Sequence, residues 1–270
     1  GHARPVIVPG RIAEVRLSVG NYETGFGVQI WKNYEDGMRI FLRDPSGDAE
    51  FELLPIRGTD RIRIGETELL IYYGEPSPFN AAQEIYIEFV PEQAYVESGI
   101  WIFRFLGKGR EDTYVDLWLP SSAALGQNTA FLEPSPETTL TIPSTAFRPL
   151  TVGAYDSRTG IYAPFSGRGD TRIYHAQKPD LAAPGVGIMA PKSGGGYEAV
   201  TGTSFAAPLV AGAAALLMEW GIVRGNDPYL YGEKVKAYLR KGAKRLPSEL
   251  EYPNPRLGYG ALCVSESIPE

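Results

Sequence analysis

Histidine and cysteine are almost missing from this sequence, which has two of the first and one of the second in 270 residues. The single cysteine, Cys263, excludes an intrachain disulfide, so the fold has to rest on buried apolar surface. Flanked by Leu262 and Val264, it reads as a small core residue and not as a nucleophile. No metal-ligand cluster and no internal repeat is visible in the first half. No cofactor is expected from these residues, and calcium binding is left open. A long apolar run is absent too. The longest weakly polar stretch, Phe205 to Met218, is shorter than the roughly 20 residues a membrane span needs. The opening residues Gly1-His2-Ala3-Arg4-Pro5 lack the charged-then-apolar pattern of a signal peptide. Surplus basic charge is lacking as well: the net charge is −6, which gives no reason to expect nucleic acid or an anionic membrane as partner.

What is present is ordinary for a soluble globular protein, with 43% hydrophobic and 21% charged residues. The charge is uneven. Residues 1–140 hold 12 Lys and Arg against 21 Asp and Glu, and residues 141–270 hold 14 against 11. An acidic half followed by a mildly basic one suggests two modules.

Residues 1–137 read as all-β. Ala13 to Val19, Arg61 to Ile64 and Glu84 to Phe89 alternate with period two. Val28–Trp31, Met38–Leu42, Leu69–Tyr73, Ile100–Leu106 and Tyr114–Leu119 are further strand candidates. Breakers such as Pro45-Ser46-Gly47, Pro76-Ser77-Pro78 and Gly107-Lys108-Gly109 separate them. About eight strands at this spacing predict a β-sandwich of the jelly-roll kind, with a barrel as the competing reading. Three of the four tryptophans, Trp31, Trp101 and Trp118, fall here. They read as core, although aromatics on an exposed β face can also stack on sugars.

Beyond the Pro- and Thr-rich stretch Glu133 to Thr139 the texture changes, and residues 138–270 form the second module. Thr151 to Tyr155 is a short strand candidate. Ser204 to Trp220 is an Ala/Leu helix, apolar nearly all round and therefore expected to be buried, with Pro208 in its first turn and Gly221 ending it. Gly232 to Lys241 is an amphipathic helix with Val235, Tyr238 and Leu239 on one face and Lys and Arg opposite.

The chemistry concentrates in Thr201-Gly202-Thr203-Ser204-Phe205-Ala206-Ala207-Pro208-Leu209-Val210-Ala211-Gly212. A serine needs a base to become a nucleophile, and the developing oxyanion needs preorganised donors. A serine at a helix start meets the second need, because free N–H groups and the positive end of the helix dipole lie there. The ordinary use of Ser or Thr at such a place is as an N-cap.

The surrounding string resembles the subtilases, the subtilisin-like serine proteases. Gly202-Thr203-Ser204-x-Ala206-x-Pro208-x-Val210-Ala211-Gly212 agrees with their serine motif at every fixed position. Pro143-Ser144-Thr145, Thr151-Val152-Gly153-Ala154, Phe165-Ser166-x-x-Gly169, Lys178-Pro179-Asp180-Leu181-x-Ala183-Pro184-Gly185 and Tyr259-Gly260 follow the family's order. The resemblance covers residues 138–270 and implies the C-terminal part of an α/β subtilisin-like domain. It implies Ser204 as nucleophile, its backbone N–H as an oxyanion donor, and Thr203 and Gly202 beside it.

Departures matter equally. The family's triad runs Asp, His, Ser in chain order. Neither His2 nor His175 stands in a His-Gly-Thr-His setting, and both read as exposed bystanders. Asp156, after Val152-Gly153-Ala154, reads as a turn residue. Asn21, in Gly20-Asn21, is the sole nearby candidate for the family's oxyanion asparagine, and it lies inside the β module. The layout is similar to the clostridial Csp-type germination proteases, in which a jelly-roll domain interrupts the subtilase. That likeness implies a serine endopeptidase with an extracellular or spore-associated location and a peptide or protein substrate. The missing N-terminal part of the protease would be its partner, and this fragment would be inactive alone. A pseudoprotease scaffold stays open as the alternative, as does a glycan ligand for the β module. A sedolisin-type acid protease, which shares Gly-Thr-Ser-x-x-x-Pro, is set apart by the Lys178 to Gly185 string.

Overall fold

The computed structural model describes the chain except for residues 49, 57, 170–176 and 270. It divides into two compact units, Gly1–Ser135 and Pro136–Glu270.

Among its described residues the first unit has thirteen strands: β1 (His2–Ala3), β2 (Val6–Ile7), β3 (Ile12–Val19), β4 (Phe26–Asn33), β5 (Met38–Arg43), β6 (Glu50–Leu53), β7 (Gly58–Ile64), β8 (Thr67–Tyr73), β9 (Ala82–Pro91), β10 (Gly99–Gly107), β11 (Thr113–Tyr114), β12 (Asp116–Trp118) and β13 (Ala130–Phe131). One antiparallel sheet runs β1-β12-β4-β9-β8-β7 and another β13-β3-β10-β5-β6, while β2 and β11 pair separately. Alternation dictates the layering. In β9, Ile85, Ile87 and Phe89 are wholly buried while Glu84, Tyr86 and Glu88 look outward. The inward residues of both sheets make one core, including Val28, Ile30 and Phe89 from the first and Leu17, Phe103 and Leu42 from the second. The unit is therefore a sandwich of two sheets with free edges and not a closed barrel. Strands of two to four residues, β1, β2, β6 and β13, were not foreseen, because so short a segment shows no periodicity.

The tryptophans divide. Trp101 is fully buried, donates from its indole N–H to the Glu97 carbonyl at 3.0 Å, and meets Phe89 edge-on at 5.2 Å. Trp31 and Trp118 are only half-buried, on the outer side of the six-stranded sheet, which corrects their reading as core.

In the second unit β14 (Val152–Asp156) pairs in parallel with β16 (Leu181–Pro184) and antiparallel with β15 (Ile161–Tyr162). The hairpin β17 (Ile188–Pro191) and β18 (Tyr197–Val200) follows, then α1 (Thr203–Met218), α2 (Gly232–Lys241) and α3 (Val264–Ser267). Small side chains bring α1 close onto the strands: Ala154 and Ala183 share a core with Ala206, Val210, Ala213 and Leu217.

Three expectations about the helices need correction. Only the stripe Ala206, Val210, Ala213 and Leu217 of α1 is buried, and the helix leaves a second apolar face in water, with Leu209 at 40%, Leu216 at 52% and Met218 at 44% exposure. The three-stranded sheet covers one side of an all-apolar cylinder and no more. Pro208 lies in the second turn and not the first, so the carbonyl of Ser204 loses its i+4 donor. Gly221 does not end the helix, which continues as a π-helical turn through Glu219–Val223. With that turn, Thr203–Val223 spans 21 residues at a mean hydropathy of 1.7, long and apolar enough by length and composition to cross a membrane. The fourteen-residue run read from the sequence was too short for that. Length and composition do not separate a span from the core helix of a soluble domain. α1 packs on β14 and β16 along one stripe, and 28% of the apolar window is buried.

In α2 the charged side is not a solvated face. Lys236 is buried, and it and Arg240 turn onto Asp180. Cys263, read as core, is half-exposed at the start of α3, with its Sγ 3.3 Å from Ser265 Oγ.

Candidate active site

Ser204 is the second residue of α1 and is exposed. Its position follows from a short chain of backbone bonds. At the end of β16 the Gly185 N–H donates to the Tyr155 carbonyl of β14 at 3.0 Å, and the Gly185 carbonyl accepts from the Gly202 N–H at 2.8 Å. The Gly187 N–H donates to Thr201 Oγ1 at 3.0 Å, which closes the base of the β17–β18 hairpin. The loop thus returns to the strand end from which it left, and α1 begins there.

Gly202 has φ +156°, a backbone region that a side chain resists, and it occupies the N-cap position of α1. Its carbonyl accepts from the Phe205 N–H at 3.1 Å. No side chain caps the helix, and Ser204 Oγ has no hydrogen-bond partner among the described residues. The ordinary N-cap use of a serine is therefore not the one found. The hydroxyl is free, beside helix N–H groups that have no helical acceptor and point toward negative charge.

Behind the site lies a buried ion network that the sequence reading missed. Asp180, wholly buried, accepts from the Thr151 N–H at 2.6 Å, from Lys178 Nζ at 3.0 Å and from Arg240, and Lys236 Nζ lies 3.2 Å away. Lys178 Nζ also donates to the Pro149 carbonyl at 2.6 Å and to Thr151 Oγ1 at 2.9 Å. Burial pushes the Lys178 ammonium below the ordinary lysine range, against the opposing pull of Asp180. One carboxylate thus clamps the starts of β14 and β16 to α2. The visible signal was Lys236 and Arg240 at i and i+4, one face of a helix otherwise apolar there.

The remaining candidates fall elsewhere. His2 is no exposed bystander. It is 3% exposed, its Nε2 lies 2.9 Å from Asp116 Oδ1, and its ring stacks on Trp118 at 4.0 Å. A ring enclosed in that way cannot exchange protons with an exposed hydroxyl. His175 lies outside the described residues. Asn21 is exposed in the turn between β3 and β4 of the first unit. Asp156 closes a turn, accepting from the Arg158 N–H at 3.0 Å, and the Arg158 guanidinium holds its carboxyl below the usual range. Among the described residues no three His, Cys, Asp or Glu side chains converge on a metal position.

A serine at the head of a buried-faced helix behind two parallel strands, inside the string from Lys178 to Gly212, fits the nucleophile segment of one protease class. The chain belongs to the subtilase family, whose model matches residues 122–260. It is similar to the structure of the CspB protease of Clostridium perfringens. That match has 35% identity and a TM-score of 0.89, over 98% of this chain and 55% of that one. It is 32% identical over 152 residues to the serine protease AprX of Bacillus subtilis, covering 48% of this chain and 32% of AprX. It is also 39% identical over 89 residues to the PI-type proteinase of Lactococcus lactis. The chain thus spans about half the length of the CspB structure and about a third of AprX.

Proposed function

We propose that this chain is the C-terminal part of a subtilisin-like serine endopeptidase in which Ser204 attacks the scissile carbonyl of a peptide or protein substrate and forms an acyl-enzyme. The observation that carries this reading is the free, exposed hydroxyl of Ser204 at the uncapped head of α1. In the acyl transfer the Ser204 backbone N–H donates to the oxyanion, and Gly202 and Thr203 leave the space in which it forms. The hydroxyl proton goes to a histidine supplied by the preceding part of the protease, which also supplies the aspartate that orients it, and the histidine passes the proton to the leaving amine as the peptide C–N bond breaks. The second apolar face of α1, with Leu216 52% exposed, supports a covering segment from outside residues 1–270.

On this reading residues 1–137 are a jelly-roll-like insertion and residues 138–270 the C-terminal segment of the catalytic domain. Two separate cores and the likeness to CspB over nearly the whole chain support it. A role in spore germination is part of the same reading.

Residues 1–270 alone are inactive on this reading, because the triad's aspartate and histidine belong to the preceding part of the protease. Loss of the base costs about 10⁶ in kcat, a magnitude known for subtilisin itself. A fluorophosphonate probe tests the assignment. The protease completed by its N-terminal part is expected to label at Ser204 and to lose labelling in Ser204→Ala. Absence of labelling in the complete protein would favour a scaffold without catalysis.

A further inference from the structure

The outer face of the six-stranded sheet carries aromatic rings where polar side chains are the rule. Register sets Tyr86 of β9 opposite Gln29 of β4 on one side and opposite Tyr72 of β8 on the other, and it sets Glu84 opposite Trp31. Tyr72 is 46% exposed, and Trp31 and Tyr86 are half-exposed. Three rings therefore sit on three adjacent strands, which lie about 4.8 Å apart.

One of the rings lies down. A Cβ on Gly27, the second residue of β4, would collide with the Tyr86 hydroxyl and ring. Glycine in a strand interior weakens the strand, and here it admits a ring laid across the backbone. A ring in that posture turns one π face to solvent. Polar groups are fixed around it: the Tyr86 hydroxyl donates to Glu88, and Gln29 Nε2 donates to Glu84 Oε1 at 3.1 Å. Burial and the neighbouring Glu88 push the Tyr86 phenol up to about 12, so it stays a donor at any physiological pH.

The ligand class follows by matching these features. The face is the open side of a sheet, so it suits a chain lying across it better than a small molecule that needs enclosure. It lies in mid-sheet, where no free backbone edge is available to add a peptide strand. Two carboxylates stand among the rings, and the arginines of the neighbouring strand β7, Arg61 and Arg63, are paired to Glu68 and Glu92. Anionic polymers are therefore repelled. A sugar ring offers what remains, with apolar C–H faces for the aromatic rings and hydroxyl donors for the carboxylates.

We propose that the face formed by Trp31, Tyr86 and Tyr72, with Gln29, Glu84 and Glu88, binds an uncharged polysaccharide by stacking. The site belongs to the first unit and does not depend on the role of Ser204. Affinity electrophoresis of the 270-residue chain through gels containing hydroxyethyl cellulose or glycol chitin tests it. The wild type should be retarded in at least one of them. Tyr72→Ala should bind about two- to tenfold more weakly, the loss expected for one stacking ring. Tyr72 is exposed, so this variant keeps the core, and an unchanged thermal midpoint checks that. Tyr86→Leu, read in the same gels, removes the ring that lies flat. Absence of retardation in both polysaccharides, or equal retardation of wild type and variants, overturns the proposal. So does sedimentation showing a wild-type dimer that Tyr72→Ala dissociates, since the face would then belong to a second copy.

Discussion

At the scale of single residues, the position of the nucleophile depends on a residue with no side chain. Gly202 sets the direction in which the chain enters α1, and its φ of +156° is one that an alanine accepts only with strain. Space is not the obstacle, because a Cβ there would meet nothing closer than Phe205 at 3.5 Å. Gly202→Ala should therefore destabilise the chain by about 1–3 kcal/mol, the cost of a strained backbone position. Relief of that strain would turn the helix start and move Ser204 Oγ, so labelling of the completed protease should slow as well. Urea midpoints and probe-labelling rates measure the two effects. A variant as stable and as reactive as the wild type would remove Gly202 from this role.

At the scale of elements, Asp180 ties the strands of the second unit to its helix α2. Its carboxylate joins Thr151 at the start of β14, Lys178 at the start of β16, and Lys236 and Arg240 of α2. Removing one partner of a buried ion network leaves uncompensated charge, at a cost of about 3–5 kcal/mol. Asp180→Asn keeps the shape and a hydrogen-bond acceptor yet leaves two buried lysines without their counter-charge. It is expected to lose stability in that range and to expose the amides of β14, β16 and α2 together in hydrogen exchange. Loss confined to α2 would mean that the strands hold without the network.

The same scale shows what the sequence could disclose. Long strands such as β9 and β10 were legible, the first from its period two over Glu84–Phe89 and the second as the apolar run Ile100–Leu106. The bounds of α2 were legible from its amphipathic spacing. The Asp180 clamp was not, because it joins residues far apart in the chain. The half-exposure of α1 was not legible either: an all-apolar helix predicts burial on every side, and the helix's own composition does not say what packs against it. The aromatic face was visible as residues but not as a surface, because only the register puts Trp31, Tyr86 and Tyr72 side by side.

At the scale of the whole molecule, the two units carry separate cores of different completeness. The first encloses a large apolar core between two sheets. The second leaves Leu209, Leu216, Met218, Ile222 and Val223 of its main helical stretch at 40% exposure or more. Apolar surface left in water contributes nothing to stability, so the second unit should unfold first. The tryptophans allow this to be read, since Trp220 is the one member of its kind beyond residue 135. Urea titration of the wild type, compared with Trp220→Phe, should resolve an early transition that belongs to Trp220 and a later one that belongs to the first unit. Hydrogen exchange should agree, with stronger protection in β4, β9 and β10 than in β14, β16 and α1. Truncating the first unit's core with Trp101→Ala should cost about 3–5 kcal/mol and move the later transition alone. A single transition shared by all probes, or one in which Trp101→Ala moves both, would show that the units stand or fall together.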